Sequence, residues 1–183
     1  MDTRDLLLSL GKKKLGDKID FLGVYCSDEL EKIKPPRKPT MLICNTLKTH
    51  DPPRKMGHWV SFYKDGKIAI FLDSFGFPPS MYGGSFLNFM RGSERYYLKQ
   101  GLQSPESLTC GLFSVFFIHY ISRHGLRKCL AHVKKHFSPS KKTENDAKIK
   151  RYFMKNNHSS CEMWKSKEEK AIGYNECLTM VSS

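Results

Sequence analysis

The chain has 183 residues, with 31 Lys/Arg against 18 Asp/Glu and a formal net charge of +13. A chain of this length fits one domain and buries a core large enough to fold without disulfide bonds. No window holds eighteen uncharged apolar residues, and the amino-terminal basic run follows the short apolar patch instead of preceding it as in a signal peptide, so we expect a soluble protein that is not secreted.

Six cysteines are scattered along the chain without the dense spacing of a secreted disulfide scaffold, which favours reduced thiols. A weak zinc candidate combines Cys129, His132 and His136 with His158 and Cys161, whose nitrogen and sulfur atoms are suitable ligands. Because the same spacing arises on any amphipathic helix, we predict no metal site.

The first predicted element is a short helix in "TRDLLLSLGKKKL", and a proline-rich bend at residues 34–39 then precedes a strand at 40–46. Two β-rich runs in "HWVSFYKDGKIAIFLDSFG" meet at Asp65-Gly66, a dipeptide typical of a two-residue type I′ turn. This pattern predicts a β-hairpin.

The register of that hairpin follows from its turn. A turn centred on Asp65 and Gly66 sets Lys64 opposite Lys67 and, further along, His58 opposite Asp73. Directly opposed residues share a face, with Cβ atoms about 4.5–5.5 Å apart. The hairpin therefore predicts an imidazole beside a carboxylate.

Four helices are predicted after the hairpin, at residues 85–98, 110–122, 127–136 and 143–156. The last has Ile149, Phe153 and Tyr152 facing inward and its lysines outward. Residues 159–183 show little periodicity. We predict one domain over residues 1–160 and a carboxyl-terminal extension, packed or partly disordered, over 161–183.

Cys110 stands where a polar turn becomes a long apolar helix, and the start of a helix lowers the pKa of a thiol. A nucleophilic thiol needs a base, and an imidazole oriented by a carboxylate, here His58 with Asp73, meets that need. Gln103, on the loop leading to the helix, could bind an oxyanion together with the backbone N–H of Cys110, and Gly111 leaves the thiol uncrowded. The alternative is a structural thiol and a packed histidine, which are more common.

Three blocks, "GHWVSFY", "IFLDSFGF" and "QSPESLTCGLFSVFFIHY", resemble in order and spacing the His, acidic and Gln/Cys blocks of the adenovirus cysteine proteases, the adenains. "FLGVY", Asn45-Thr46 and "KIKRYFMKNNHSS" extend the resemblance to about residues 5–160. It implies an α+β fold with a papain-like core of the adenain type, in which helices flank a central mixed or antiparallel sheet. The family usually has Glu where this chain has Asp73, whereas Asp is usual in the related ubiquitin-like-protein proteases.

By this resemblance His58 is the general base, Asp73 the orienting acid, Cys110 the nucleophile and Gln103 an oxyanion donor, and the chemistry requires no cofactor. The resemblance also implies substrate contacts by the residues on either side of His58. The two residues concerned are Gly57 and Trp59. For the tryptophan, a purely structural role as a core aromatic is an equally open interpretation.

The resemblance implies a cysteine endopeptidase that cleaves precursor proteins of a virus or virus-like element after small or Gly residues during particle maturation. We then expect a monomer in the host nucleus and the virion, without a membrane partner. Adenains are stimulated by DNA and by a disulfide-linked viral peptide. Fourteen Lys/Arg against six Asp/Glu in residues 123–183 suit DNA as partner and activator, whereas the lack of a cysteine between Cys44 and Cys110 disfavours the peptide disulfide.

Two other functions stay open at this point. One is a protease that removes ubiquitin-like proteins, and the other is a basic nucleic-acid-binding module on a protease-like fold. "MYGGS" (residues 81–85) also resembles the cleavage pattern of the family, which suggests slow self-cleavage between Gly84 and Ser85. The plainer interpretation is that its glycines only permit a turn.

Overall fold

The computed structural model describes residues 19–34, 38–52, 56–156 and 178–180. The strands are β1 (Asp20–Cys26), β2 (Thr40–Asn45), β3 (Trp59–Lys64), β4 (Ile68–Leu72), β5 (Glu94–Leu98) and β6 (Leu178–Met180). The α-helices are α1 (Gly84–Phe89), α2 (Cys110–His124), α3 (Leu126–His136) and α4 (Lys142–Asn156). Short 3₁₀ helices cover Ser27–Lys32 and Pro79–Tyr82. The predicted amino-terminal helix lies outside the described residues.

The strands form one mixed sheet in the order β1 to β6. Strands β1 and β2 are parallel, as are β4 and β5, and the other neighbouring pairs are antiparallel. The predicted α+β class, with a mixed sheet flanked by helices, is confirmed. Strand β6 pairs with β5 at one edge, and the rest of the predicted extension, residues 161–177 and 181–183, lies outside the described residues.

The hairpin of β3 and β4 forms where predicted, but its register is shifted by two residues. Lys64 pairs with Ala69 instead of Lys67. The Asp65 carboxylate accepts hydrogen bonds from the backbone N–H groups of Lys67 and Ile68, which makes Gly66-Lys67 the loop. Gly66 does not adopt the positive φ that a type I′ turn requires. A shift of two residues keeps every side chain on its predicted face.

The helix predicted at residues 85–98 is wrong in its second half. Helix α1 ends at Phe89, and residues 94–98 form strand β5. Gly92, with φ of +81°, lies in the turn after the helix and prevents its continuation, because this left-handed conformation favours glycine and is not helical. The aromatic run "ERYYL" then pairs in parallel with β4, so sheet pairing overrides the local helical pattern.

The other predicted helices are confirmed as α2, α3 and α4 within a few residues. Helix α2 is buried from Phe113 to Ile121 because it lies between the sheet and the two helices that follow. On α4, Ile149 and Tyr152 are buried and Phe153 is half-buried, as predicted.

Each face of the sheet buries its own apolar cluster. Helices α2, α3 and α4 cover one face, and α1 with the first 3₁₀ helix covers the other. None of the helices in the described part of the chain is long and apolar enough to cross a membrane. Cys110, the first residue of α2, thus lies at the end of the most buried helix, against β3.

Candidate active site

His58 and Asp73 flank the central hairpin, one just before β3 and the other just after β4. Their side chains meet through Nε2 of the imidazole and Oδ1 of the carboxylate, 2.6 Å apart. The shifted register makes them diagonal neighbours on one face of the sheet, still within reach of each other. The predicted pair therefore forms, although by a different register.

The Asp73 carboxylate is fully buried and bound on both oxygens. Besides the imidazole, Oδ1 accepts the backbone N–H of Phe75 at 2.9 Å, and Oδ2 accepts that of Phe77 at 3.1 Å. The hydroxyl of Tyr82 donates to Oδ2 at 2.8 Å. Burial, together with this carboxylate, raises the pKa of Tyr82 well above its ordinary value, so the phenol stays a donor. These bonds fix the carboxylate that orients His58.

Two aromatic rings contact the imidazole of His58, and one threonine binds its backbone. Phe75 stacks on it with ring centroids 4.6 Å apart, and Tyr82 at 5.9 Å. The backbone N–H of His58 donates to Oγ1 of Thr46 at 2.9 Å, and the backbone N–H of Thr46 donates to the carbonyl of His58. Neither Phe75 nor Tyr82 was among the predicted site residues. The available signal was the pair of aromatic residues two and four positions after Asp73, Phe75 and Phe77.

The side chains of Cys110 and His58 lie close enough for each to shift the pKa of the other. Because Nε2 binds Asp73, the other ring nitrogen, Nδ1, is the one left for the thiol. The structure thus brings together three residues that the sequence predicted as a nucleophile, a base and an orienting acid.

The two titratable partners favour an ion pair. Burial would raise the pKa of the Cys110 thiol, but hydrogen bonds from His58 and from the backbone N–H groups of Trp59 and Gly111 outweigh it and lower the pKa. Burial would likewise lower the pKa of His58, yet hydrogen bonds to Asp73 and Cys110 raise it to about 9. A lowered thiol pKa beside a raised imidazole pKa shifts the pair toward thiolate and imidazolium.

Gln103 lies on the loop before α2 and is buried, with 1% of its surface exposed. Its Oε1 accepts the Ser74 hydroxyl at 2.6 Å, and its Nε2 donates to the backbone carbonyl of Ser107 at 2.6 Å. Its backbone N–H also binds the carbonyl of Ser74, directly after Asp73. A primary amide has two N–H donors, and the bond to Ser107 uses one of them. The second N–H is the one that the predicted role of Gln103 as an oxyanion donor would use.

Gly57 and Trp59, the two predicted substrate contacts, have clear structural roles. A Cβ on Gly57 would overlap the side chain of Asn45 and lie 2.8 Å from Cγ of Leu47, so only glycine fits. The ring of Trp59 is 8% exposed and belongs to the core cluster, while its backbone N–H binds the Cys110 thiol. The core interpretation of the tryptophan is supported, and substrate contact by either residue stays a prediction.

The residues of the weak zinc candidate are only partly described. Cys129 and His132 are buried on α3, and the ring of His132 contacts that of His136 in a tilted arrangement with centroids 4.4 Å apart. Burial and the neighbouring His136 lower the pKa of His132 to about 3. No cluster of three or more metal-ligating side chains occurs within the described ranges, and His158 and Cys161 fall outside them.

The "MYGGS" segment is folded into the site. Its Tyr82 binds Asp73, Gly83 has φ of +110°, and Gly84 starts helix α1. Gly83 and Gly84 are exposed, but Phe86 directly beyond them is buried in the core. Self-cleavage after Gly84 would first require this turn to unfold, which favours the plainer interpretation of the glycines.

Comparison with known proteins gives little similarity. No family model matches the sequence, and no curated protein matches it significantly. Among solved structures, the fold is similar to one described as AvrA delL154 with IP6 and CoA, at a TM-score of 0.44 and 15% sequence identity. The similarity covers 80% of this chain and 54% of AvrA, so the chain spans about half the length of that protein. Function is therefore inferred from the side chains of the site.

Proposed function

We propose that the protein is a cysteine endopeptidase with a papain-like core of the adenain type. The observation that carries this proposal is the contact of a helix-terminal thiol, Cys110, with His58, whose other nitrogen binds the buried Asp73. A structural cysteine needs neither a lowered pKa nor an oriented imidazole. Both are what thiol-dependent acyl transfer requires.

In this mechanism the Cys110 thiolate attacks the carbonyl carbon of the scissile peptide, and the carbonyl electron pair moves onto oxygen. The oxyanion binds two donors: the backbone N–H of Cys110, at the start of α2 where N–H groups have no partner within the helix, and the second amide N–H of Gln103. The C–N bond breaks as the imidazolium of His58 gives its proton to the leaving amine. Water then attacks the thioester, His58 takes its proton, and the carboxylic acid leaves.

The finer proposal concerns the substrate. By resemblance to the adenains, the enzyme cleaves precursor proteins of a virus or virus-like element after small or Gly residues during particle maturation, as a monomer in the nucleus and the virion. Fluorogenic peptides with Met or Leu four positions before the bond and glycine next to it should be cleaved. The Cys110→Ala variant should be inactive, with turnover reduced by about 10⁶.

The same assay separates the alternatives. Cleavage of a ubiquitin-like protein fused to aminomethylcoumarin, with no cleavage of precursor peptides, would favour the deconjugating protease. If neither substrate is cleaved and Cys110 reacts with thiol reagents no faster than Cys26, the enzymatic proposal is wrong. The fold would then serve binding alone.

The helices after Ile121 carry a basic surface that supports binding of a polyanion. Residues 123–156 hold eleven Lys/Arg against two Asp/Glu. Among the ten of these cations whose side chains the structure describes, eight are exposed: Arg123, Arg127, Lys128, Lys134, Lys135, Lys141, Lys150 and Arg151. A concentration of exposed charge of one sign attracts the phosphate backbone of DNA without regard to sequence. We include DNA as partner and activator in the proposal.

This part of the proposal is tested with two unrelated labelled DNA duplexes. Affinity should be similar for both and should fall by about 10³ between 50 and 200 mM salt. Lys135→Glu should weaken binding more than Lys67→Glu, a matched charge reversal on the hairpin turn. Affinity that does not change with salt would mean that these lysines are only a solvated face.

A further inference from the structure

Two consecutive residues of α4 hold both ends of the loop at residues 102–109, which carries Gln103 and leads to Cys110. Asn145 is fully buried, and its Nδ2 donates to the carbonyl of Leu102 at 3.0 Å. Asp146 is 5% exposed, and its Oδ2 accepts the backbone N–H of Ser104 at 3.2 Å. The loop is therefore bound from a helix about forty residues later in the sequence.

Asp146 also binds the residue that precedes the nucleophile. Its Oδ1 accepts the hydroxyl of Thr109 at 2.6 Å. The hydroxyls of Thr109 and Ser107 are 2.7 Å apart, and the backbone N–H of Thr109 donates to the Ser107 hydroxyl at 3.2 Å. Because Thr109 gives its single hydroxyl proton to Asp146, Ser107 must donate to Thr109. The direction of each bond is thereby determined.

The network continues to the predicted oxyanion donor. The backbone carbonyl of Ser107 accepts Nε2 of Gln103, and Oε1 of Gln103 accepts the hydroxyl of Ser74. These two bonds set the rotation of the amide, with its nitrogen toward the loop before Cys110 and its oxygen toward Ser74. A displacement of the Ser107 carbonyl would turn or shift the amide nitrogen.

We propose that Asp146 is a positioning residue for the oxyanion site: through Thr109 and Ser107 it fixes the amide of Gln103 relative to Cys110. A buried carboxylate is costly, and all its side-chain hydrogen bonds in the described part of the chain go to the loop. Packing α4 against the core would not need this charge, since apolar residues of similar volume pack as well or better. This inference rests on the proposed role of Gln103.

The test compares two reactions of Cys110 that need no peptide substrate. Acylation by p-nitrophenyl acetate forms a C–S bond, develops an oxyanion and expels p-nitrophenolate. Alkylation by iodoacetamide forms a C–S bond with loss of iodide and develops no oxyanion. Rates measured on Cys110→Ala are subtracted to remove the other thiols. The ratio of the two rates reports the oxyanion site separately from the thiolate and from the folded fraction.

Thr109→Val, which keeps the shape and removes the hydroxyl, should lower acylation roughly tenfold, less than complete loss of a donor. Alkylation should stay within about twofold, since His58 and Asp73 are untouched. Thr109→Ser restores the hydroxyl and should restore acylation. Thr143→Val, the same change at an exposed position on α4, should alter neither rate. In a Gln103→Ala background, Thr109→Val should have little further effect.

The inference is overturned if Thr109→Val lowers the acylation and alkylation rates equally, or lowers neither. It is also overturned if Thr109→Val lowers acylation by the same factor in the Gln103→Ala background as in the wild type. It is also overturned if wild-type Cys110 is not acylated faster than the background. Should Thr109→Val fail to fold, Ser107→Ala, which removes the hydroxyl bound to Thr109, carries the same test. Normal acylation without cleavage of any peptide would count against the endopeptidase proposal and leave this inference standing.

Discussion

The two halves of the candidate site are held in different ways. On the sheet side, the carboxylate of Asp73 binds His58, fifteen residues away, and its other side-chain partners lie within nine residues. On the loop side, the partners that hold Leu102 and Thr109 come from α4, 43 and 37 residues away. The base and acid are thus fixed by a local hairpin, and the nucleophile loop by tertiary contacts.

Because the two halves are held separately, substitutions in one half should alter a different step of the reaction from substitutions in the other. Changes in the sheet half should alter the ionisation of the His58 and Cys110 pair. Changes in the loop half should alter oxyanion binding while leaving that ionisation intact. The three variants below test this division, in order of decreasing effect on turnover.

Gln103→Ala should lower turnover by roughly 10²–10³, the usual cost of losing one oxyanion donor. Because Gln103 is buried and bonded to Ser74 and Ser107, its loss should also reduce the free energy of unfolding by about 1–3 kcal/mol. Steady-state kinetics and denaturant unfolding measure the two effects. Gln100→Ala, which removes a similar amide bonded to the carbonyl of Phe137, is the control and should leave turnover within about threefold.

The pH profile of kcat/KM for Gln103→Ala tests whether the sheet half and the loop half of the site act separately. Its acid and alkaline limbs should lie at the same pH as in the wild type, because the amide contacts neither His58 nor Asp73 directly. A shift of either limb would contradict the proposed division.

Asp73→Asn should lower turnover by about 10–10² and move the alkaline limb of the profile. In the wild type, activity is lost as pH rises through the pKa of His58, about 9, because the imidazolium is then deprotonated. The charge-assisted hydrogen bond of Asp73 raises that pKa, and because a neutral amide accepts more weakly and carries no charge, the limb should move to lower pH. The acid limb reports protonation of the Cys110 thiolate, which is coupled to the ionisation of His58. With a weaker imidazolium partner the thiolate is protonated more easily, so the acid limb should move to higher pH.

The measurement is kcat/KM against pH, with the alkylation rate of Cys110 as a second profile. Both profiles should shift together in Asp73→Asn. An alkaline limb that stays near pH 9 would mean that the raised pKa has another cause, and the carboxylate would then have only a structural role.

Tyr82→Phe should have the smallest effect. It removes one of the hydrogen bonds to Asp73 and keeps the stacked ring, so we expect a loss of about 1 kcal/mol in the free energy of unfolding and a fall in kcat/KM of about fivefold or less. Tyr25→Phe removes an exposed hydroxyl bond away from the site and should leave kcat/KM unchanged. A loss above about 10² in Tyr82→Phe would assign the phenol a direct catalytic role.

The sequence was sufficient for features that depend on neighbouring residues. The hairpin, the faces of its strands and the three long helices follow from turn residues and apolar periodicity. The meeting of His58 and Asp73 follows as well, and it survives the two-residue error in register because the side-chain period of a strand is two. The error itself arose because the bonds of the Asp65 side chain selected a different turn.

Other features were invisible in the sequence because they depend on distant partners. The local sequence of residues 94–98 predicts a helix, but in the fold these residues pair in parallel with β4 and form a strand. Tyr82 belongs to a glycine-rich segment that resembles a cleavage motif, and only the fold turns its hydroxyl toward Asp73. The local sequence predicts Asn145 and Asp146 to be exposed polar residues of a basic helix, whereas the fold buries both.

The sequence by itself determined the chemical groups of this protein: a thiol at a helix start, an imidazole and a carboxylate at the ends of one hairpin, and an amide on the loop before the thiol. Local turn and helix preferences are strong enough to place chemical groups relative to one another when they are close in the chain. The tertiary structure decided which nitrogen of His58 is left for Cys110 and how Gln103 is turned. Those choices depend on hydrogen bonds in a buried environment, where an unmet donor or acceptor is costly, and the partners are brought together only by folding.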